Sequence, residues 1–288
     1  MIFDLHNKDC LEILPTIPDK SVDLIFCDLP YGQTNCKWDS LIDIDKLWVE
    51  FKRIRKNTTP IIMCCTTKFG VSLINSNPKE FKFDMVWQKS RKLGFLQARK
   101  RPMVGHEMVY FFYKKQCKYN YLKYHTYTKK QIKSRTIDKK LLKVYTHEDV
   151  LNKPHRKVID KGTGSYEPIL PDSVIVNDEN PKCLYRSIND DGSKAFVISD
   201  GTTGYNPKLP DSILKIASKK PSKHSTGKPL ELMEFILKYW SDEGDIVFDP
   251  TFGGGSMPIQ CKIMKRQFIG CEMDKQIYDD AVKLINTF

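Results

Sequence analysis

No apolar run in the 288 residues approaches the roughly 20 that a membrane-spanning helix needs. The first nine residues, Met1 to Asp9, lack the basic-then-apolar layout of a secretion signal. Nine cysteines are scattered with no Cys-x-x-Cys pair, so neither a zinc site nor a disulfide framework is indicated. The expectation is a cytoplasmic protein with reduced thiols, no membrane association and no metal. Neither a dinucleotide fingerprint (Gly-x-Gly-x-x-Gly) nor a P-loop Gly-Lys-Ser/Thr is present, which disfavours pyrophosphate and triphosphate ligands. Acidic residues are scarce over one long stretch: Lys89 to Lys161 holds 21 Lys and Arg against five Asp and Glu, within a net charge of +12. A basic block of that kind is the electrostatic footprint of a nucleic-acid binder.

What is present reads as two α/β segments flanking a polar stretch. Short apolar runs at residues 2–6, 22–27, 60–65, 83–87 and 108–113 predict strands, and residues 45–55 predict a helix with Leu47, Trp48, Phe51 and Ile54 on one side. Gln88 to Pro102 reads as a basic loop. Residues 114–222 are rich in Lys, Tyr, Asn, Asp, Gly and Pro, and hold an internal echo between 162–174 and 201–213. Order returns with a helix from Pro229 to Trp240, strands at 245–249 and 267–272, and a last helix from Asp274 towards Asn286.

The strand at 22–27 runs into Asp28-Leu29-Pro30-Tyr31-Gly32. Proline has no N–H to give a ladder, so pairing stops there. A carboxylate, two carbonyls and an aromatic ring are then delivered at a strand's carboxyl end, where open α/β sheets bind ligands. The set suits a flat heterocycle bearing an amino group, with the ring stacked on Tyr31 and its N–H groups aimed at the oxygens.

A second site follows the strand at 245–249. Asp249 precedes the turn Pro250-Thr251-Phe252-Gly253-Gly254-Gly255-Ser256, a helix follows, and the next strand ends at Glu272. Strand, glycine-rich turn, helix, strand and carboxylate form the skeleton of a βαβ nucleoside site, in which Glu272 can take both hydroxyls of a ribose. An acid ahead of the glycines suits a cation better than a phosphate, which points to a nucleoside with an amino-acid tail and a sulfonium, such as S-adenosylmethionine. Lys228, at the start of the helix 229–240, opposes the helix dipole and is better understood as reaching an anion.

These pieces resemble the β-class amino DNA methyltransferases of the N6/N4 family, especially compact phage-type adenine enzymes. The resemblance rests on Asp9-Cys10-Leu11 before Asp28-Leu29-Pro30-Tyr31, on Arg99-Lys100-Arg101-Pro102 with His106-Glu107, on His224-Ser225-Thr226-Gly227-Lys228-Pro229, and on Asp249 to Ser256 followed by Glu272. The catalytic motif precedes the cofactor motif, the circularly permuted order of that class. Leu29 stands where proline is commonest, and Ser225 and Gly227 depart from the usual helix-start motif.

The resemblance implies a Rossmann-like α/β fold with a mixed, mostly parallel sheet and S-adenosylmethionine as methyl donor. Asp28 and the Leu29 carbonyl would hold the amino group of a flipped adenine, Pro30 would shape the pocket and Tyr31 would stack on the base. Asp9 or Cys10 would bind the cofactor adenine and Glu272 its ribose. His224, Thr226, Lys228, Asp249, Phe252, Gly253, Gly255 and Ser256 would hold the rest of the cofactor, with Asp28 at its edge. Arg99, Lys100 and Arg101 are the expected phosphate contacts on double-stranded DNA. Asp first in the tetrapeptide favours N6 of adenine over N4 of cytosine; a DNA-binding relative without catalysis is the rival of another class. The expected organisation is a catalytic half (1–113), a basic target-recognition insertion (114–222) and a cofactor half (223–288). A homodimer and a place in restriction-modification, in a bacterial or phage-infected cell, follow by analogy.

Overall fold

The computed structural model describes residues 2–33, 39–124, 213–217 and 227–288, and the backbone alone of four short strands between residues 126 and 206. Strand β1 (Phe3–His6) leads into the short helix α1 (Cys10–Ile13), then β2 (Leu24–Cys27), α2 (Ile44–Ile54), β3 (Ile61–Cys65) and α3 (Thr67–Ser76). A long hairpin follows, β4 (Phe81–Leu93) and β5 (Val104–Phe112), then α4 (Tyr121–Tyr124). Two small ribbons pair β6 (Thr126–Tyr127) with β9 (Tyr205–Asn206) and β7 (Cys183–Ile188) with β8 (Lys194–Ser199). Then come β10 (Ile213–Lys215), α5 (Leu230–Trp240), β11 (Ile246–Asp249), α6 (Ser256–Ile263), β12 (Gln267–Cys271) and α7 (Lys275–Ile285).

One eight-stranded sheet in the order β1-β12-β11-β2-β3-β5-β4-β10 carries the site. Its first five strands are parallel; β5 runs antiparallel to both neighbours, and β10 closes the far edge parallel to β4. This is the mixed, mostly parallel sheet expected of the fold class. β2 and β3 are buried along their whole length, as parallel strands covered on both faces must be. Their side chains alternate between two cores. Leu24, Phe26, Ile62 and Cys64 join the layer that includes Met233, Ile236 and Leu237 of α5. Ile25, Cys27, Ile61 and Met63 join the layer that includes Leu47, Trp48 and Phe51 of α2.

The helices begin where their caps dictate. Asp43 accepts from the Lys46 N–H at 3.1 Å ahead of α2, and Asp274 accepts from the Gln276 and Ile277 N–H groups ahead of α7. α2 buries Leu47, Trp48, Phe51 and Ile54, the side predicted from its spacing.

Two expectations change. The segment read as a basic loop from Gln88 is strand as far as Leu93, because β5 pairs with it at Gln88–His106 and Leu93–Val104. Lysines and arginines there hid a ladder that a distant strand supplies. The two ends of the polar region 114–222 also lie against the main body. Cys117 is buried, the Asn120 amide donates to the Ser241 carbonyl at 2.9 Å, and Trp87 Nε1 donates to the Ile216 carbonyl at 3.1 Å. The echoed segments 162–174 and 201–213 lie outside the described residues except for strand β9 and Ile213. Among the described residues no helix is long and apolar enough to cross a membrane.

Phe111 is fully buried, its ring stacked on Phe83 at 4.4 Å and 4.7 Å from Trp240. Phe111→Ala should therefore cost about 3–5 kcal/mol of unfolding free energy, read as a lower urea midpoint at unchanged slope. A loss of a few tenths would place the core elsewhere.

Candidate functional site

Four adjacent parallel strands end side by side, and each hands on a carboxylate. Asp9 follows β1, Glu272 follows β12, Asp249 ends β11 and Asp28 follows β2. All four line one cleft of about 1230 Å³, together with Cys10, Tyr31 and Lys228. The volume exceeds the roughly 300–1,000 Å³ typical of a single small-molecule site, so two ligand moieties can share it. The two motifs read at opposite ends of the sequence thus face one space.

The tetrapeptide is tied down from several directions. The Thr251 hydroxyl donates to the Asp28 carbonyl at 3.1 Å, joining the glycine-rich turn to the Asp28 loop. The Tyr31 hydroxyl donates to Asp28 Oδ1 at 2.8 Å, and the Tyr31 ring lies 5.3 Å from that of Phe69. Leu29 sends its side chain into the core, which explains how an aliphatic residue serves at this position. Beyond it, Gly32 takes a positive φ of 62°, and the N–H groups of Gly32 and Gln33 both donate to Asp39, each at 2.8 Å.

A row of alternating charge, buried at Lys228 and part-buried elsewhere, runs behind Asp28. Lys228 Nζ donates to Asp28 Oδ2 and lies 3.5 Å from Glu107 Oε2. Lys89 Nζ donates to Glu107 Oε1 and sits 5.2 Å from the centre of the Trp87 ring. Glu107 Oε2 is buried and has no hydrogen-bond partner among the described residues. Burial opposes charge on both central groups, but their partners win. Asp28 and Glu107 push the Lys228 pKa up, and the Lys228 and Lys89 ammonium groups hold the Glu107 carboxyl below the usual carboxylate range. Burial, followed by the Asp28 and Glu107 carboxylates, raises the Tyr31 phenol well above its ordinary value.

The glycine-rich turn is shaped by the carboxylates around it. Asp249 Oδ1 accepts from the Thr251 N–H at 3.0 Å, and burial pushes the Asp249 carboxyl well up. Gly253 and Gly255 take positive φ values of 53° and 86°. A Cβ on Gly253 would have no atom nearer than 3.9 Å, whereas one on Gly255 would come within 3.3 Å of Ile285. Glu272 Oε2 accepts from the Gly253 N–H at 3.1 Å and Oε1 from the Asp274 N–H at 2.8 Å; burial raises its pKa. The Ser256 hydroxyl donates to the Lys228 carbonyl at 2.5 Å. Asp9 caps α1 by accepting from the Leu11 N–H at 2.9 Å, and Cys10 behind it is buried, its thiol pushed up to about 12 mainly by burial.

This donor set suits a nucleoside with an amino-acid tail. Glu272 offers acceptor oxygens to a diol, Phe252 and Ile277 offer apolar walls, and the open Gly253 turn lets a ligand approach the backbone. Of the basic residues read from the sequence, Arg101 borders the cleft, while Arg99 and Lys100 are exposed on the β4–β5 connection. His224 and Thr226 lie outside the described residues. Glu107, Lys89, Asp39 and Thr251 carry no role that their sequence positions disclose. Only the pairing of Trp87 with Glu107 across the hairpin brings Lys89 to that carboxylate. Among the described residues no group of three His, Cys, Asp or Glu could hold a metal ion.

Comparison with known proteins agrees with the geometry. A family model described as DNA methylase, of the N6/N4 methyltransferases, matches residues 22–283. The Type II methyltransferase M1.MboII of Moraxella bovis is 22% identical over 292 residues, 98% of this chain and 96% of that protein. M.HinfI of Haemophilus influenzae is 25% identical over 301 residues, 96% of this chain and 66% of that protein. Among solved structures, the M1.HpyAVI–SAM complex superposes with a TM-score of 0.54 at 17% identity, covering 99% of this chain and all of that one. The cytosine-N4-specific PvuII DNA methyltransferase gives 0.60 at 13% identity, covering 99% of this chain and 86% of that one.

Lys228→Ala would remove the buried ammonium between the part-buried carboxylates of Asp28 and Glu107, at a cost of about 3–5 kcal/mol near neutral pH. In the native protein the depressed Glu107 pKa contributes stability above the ordinary carboxylate range, and this is lost as pH falls through the folded value. In the variant the sign reverses, because a carboxyl with a raised folded pKa is favoured by acid. The stability gap between the two proteins should therefore narrow from pH 7 to pH 4 in urea unfolding; a constant gap would refute the charge row.

Proposed function

The chain belongs to the N6/N4 DNA methylase family, and from that we propose that it methylates the N6 amino group of an adenine turned out of duplex DNA at a specific sequence. S-adenosylmethionine is the methyl donor of the family, and the relatives M1.MboII and M.HinfI are Type II methyltransferases. The observation that carries the reading is the Thr251–Asp28 hydrogen bond, which locks a carboxylate with its aromatic partner Tyr31 to a glycine-rich turn in one cleft.

When bound, S-adenosylmethionine supplies an electrophilic methyl group on a sulfonium. Glu272 would take the ribose hydroxyls, and Asp9 or Cys10 would meet the adenine. The Phe252–Ser256 turn and Lys228 would hold the methionine part. At the target base, Asp28 and the Leu29 carbonyl accept the two amino N–H bonds. This turns the nitrogen lone pair away from conjugation with the ring. In the structure Asp28 Oδ1 is held by the Tyr31 hydroxyl and Oδ2 by Lys228. Lys228 fixes one oxygen, and the other exchanges the phenol for an amino N–H. Tyr31 then stacks on the base. After methylation the nitrogen releases one proton, to solvent or to Asp28.

Adenine is favoured over cytosine by the Asp28 of the tetrapeptide, as the family resemblance implies. Double-stranded DNA is the partner, met by Arg99, Lys100 and Arg101. Pairing of two copies of the chain rests on the family analogy alone.

DNA incubated with the protein and labelled S-adenosylmethionine, then digested to nucleosides and read by mass spectrometry, should yield N6-methyl-2′-deoxyadenosine. Asp28→Ala should lose about 100-fold or more in rate, on the scale of removing one preorganised hydrogen-bond partner from a reacting group. It should still gain melting temperature with the cofactor. Labelled N4-methyl-2′-deoxycytidine would keep the chemistry and overturn the base assignment. No methylated base, with DNA bound, would leave a binding protein.

Tyr31→Phe keeps the stacking plate and should retain most of the rate. Tyr31→Ala should lose roughly 5- to 150-fold, the equivalent of about 1–3 kcal/mol for one stacked base. Equal losses in both variants would mean that the hydroxyl, not the ring, is what the reaction needs.

A further inference from the structure

Between β4 and β5 the chain turns over a short 3₁₀ segment, Phe95–Gln97, entered by Gly94 in the left-handed region with φ of 90°. The tip is apolar and bare: Leu93, Phe95 and Leu96 are 52%, 75% and 96% exposed. Nothing in the turn requires these side chains. It is closed by backbone bonds, Gln97 N–H to the Gly94 carbonyl at 2.9 Å and Lys100 N–H to the Gln97 carbonyl at 2.8 Å. Leaving adjacent large apolar side chains in water forgoes the stabilisation that burial would bring, so the tip calls for a partner that buries it.

The surroundings of the tip say which partner. Residues 89–101 hold six Lys or Arg (89, 91, 92, 99, 100 and 101) and no Asp or Glu. The residues flanking the tip wall the cleft: Lys89, Leu93 and Arg101 line it together with Asp28 and Tyr31. Pairing steps from Gln88–His106 to Leu93–Val104, five residues on one strand against two on the other, a register shift that bends the hairpin. An apolar tip alone would suit a protein partner. An apolar tip on two basic arms, beside a pocket for a flat heterocycle, suits a polyanion with a stacked interior.

We propose that Phe95 and Leu96 form a wedge that enters the DNA stack where the target nucleotide leaves it, with Lys100 and its basic neighbours on the flanking phosphates. The proposal rests on the reading of the cleft as a base pocket. Turning a base out of a duplex breaks pairing and stacking and leaves a gap in the stack. An apolar side chain in that gap replaces the lost stacking and holds the opened state. The basic arms orient the wedge without reading sequence.

The test uses the full chain and two duplexes bearing the sequence found methylated: one fully paired, the other with the base opposite the target adenine removed. Removing that base lowers the cost of turning the adenine out. Phe95→Ser with Leu96→Ser should slow methylation of the paired duplex roughly 10- to 100-fold, leave the KM for S-adenosylmethionine unchanged, and recover to within about threefold of wild type on the duplex lacking the opposing base. With 2-aminopurine at the target position, wild type should raise its fluorescence and the variant should not. Lys100→Ala, as a control, should weaken binding to both duplexes alike.

Equal slowing of the double variant on both duplexes, or none on either, would overturn the wedge and leave the tip as a protein-docking surface. Wild-type methylation of the paired duplex reports separately on the base pocket. If wild type methylates neither duplex, the pocket reading falls and the wedge falls with it.

Discussion

A single ammonium group, Lys228 Nζ, lies between the carboxylates of Asp28 and Glu107, and the cleft depends on it. Buried charges persist only when paired. Asp28 and Lys228 are 200 positions apart in the chain, so this pair joins the two halves of the cleft. Lys228 also stands at the start of α5, where a positive charge opposes the helix dipole. The two carboxylates offset that, and the Ser256 hydroxyl on the Lys228 carbonyl ties the same residue to the first turn of α6. One residue thus links β2, β5, α5 and α6, and Lys89 completes the row from the β4 side.

The sheet makes this convergence possible. Hydrogen bonding decides which strands are neighbours, and β11 pairs with β2 at Val247–Leu24 and Phe248–Ile25 despite the distance between them in the chain. The entropy of closing so long a loop grows only logarithmically with its length. A long segment between β5 and α5 is therefore tolerated, and its described ends sit at defined places: α4 near the end of α5, and β10 on the far edge of the sheet. Neither end obstructs the carboxyl ends of β1, β12, β11 and β2. The permuted order of the two motifs leaves their relation in space unaffected, since parallel strands deliver their carboxyl ends to the same side in any sequence order.

Local punctuation made much of the fold legible. Pro30 ends a strand, Gly253 and Gly255 need positive φ, and the apolar runs at 24–27, 61–65 and 246–249 could only be buried strands. From those marks alone, Asp28, Asp249 and Glu272 could be placed at strand ends. What depends on pairing across the hairpin was hidden. Lys89 reads in sequence as one more residue of a basic run, yet it is turned into the cleft because Trp87 and Glu107 are opposite each other in β4 and β5. Asp39 sits in a polar stretch that carries no periodicity, and only the two N–H groups it receives reveal its role in holding the turn after Tyr31.

The hydrogen bonding of Asp28 bears on which bases the proposed pocket accepts. Its Oδ1 already holds a hydrogen bond, from the Tyr31 hydroxyl at 2.8 Å. Charge-assisted bonds of this kind are the strong ones, so a base that displaces the phenol must return a donor of similar strength. An exocyclic amino group does so, and the exchange is close to even. A base that presents a carbonyl oxygen there, as thymine does, returns none and sets two acceptors against each other. Sites built to hydrogen-bond a polar group reject analogues lacking it far more strongly than they reject a change of size, because the site's own groups are left unpaired. In this reading the pocket selects amino-bearing bases through the bond that Asp28 makes with the Tyr31 hydroxyl.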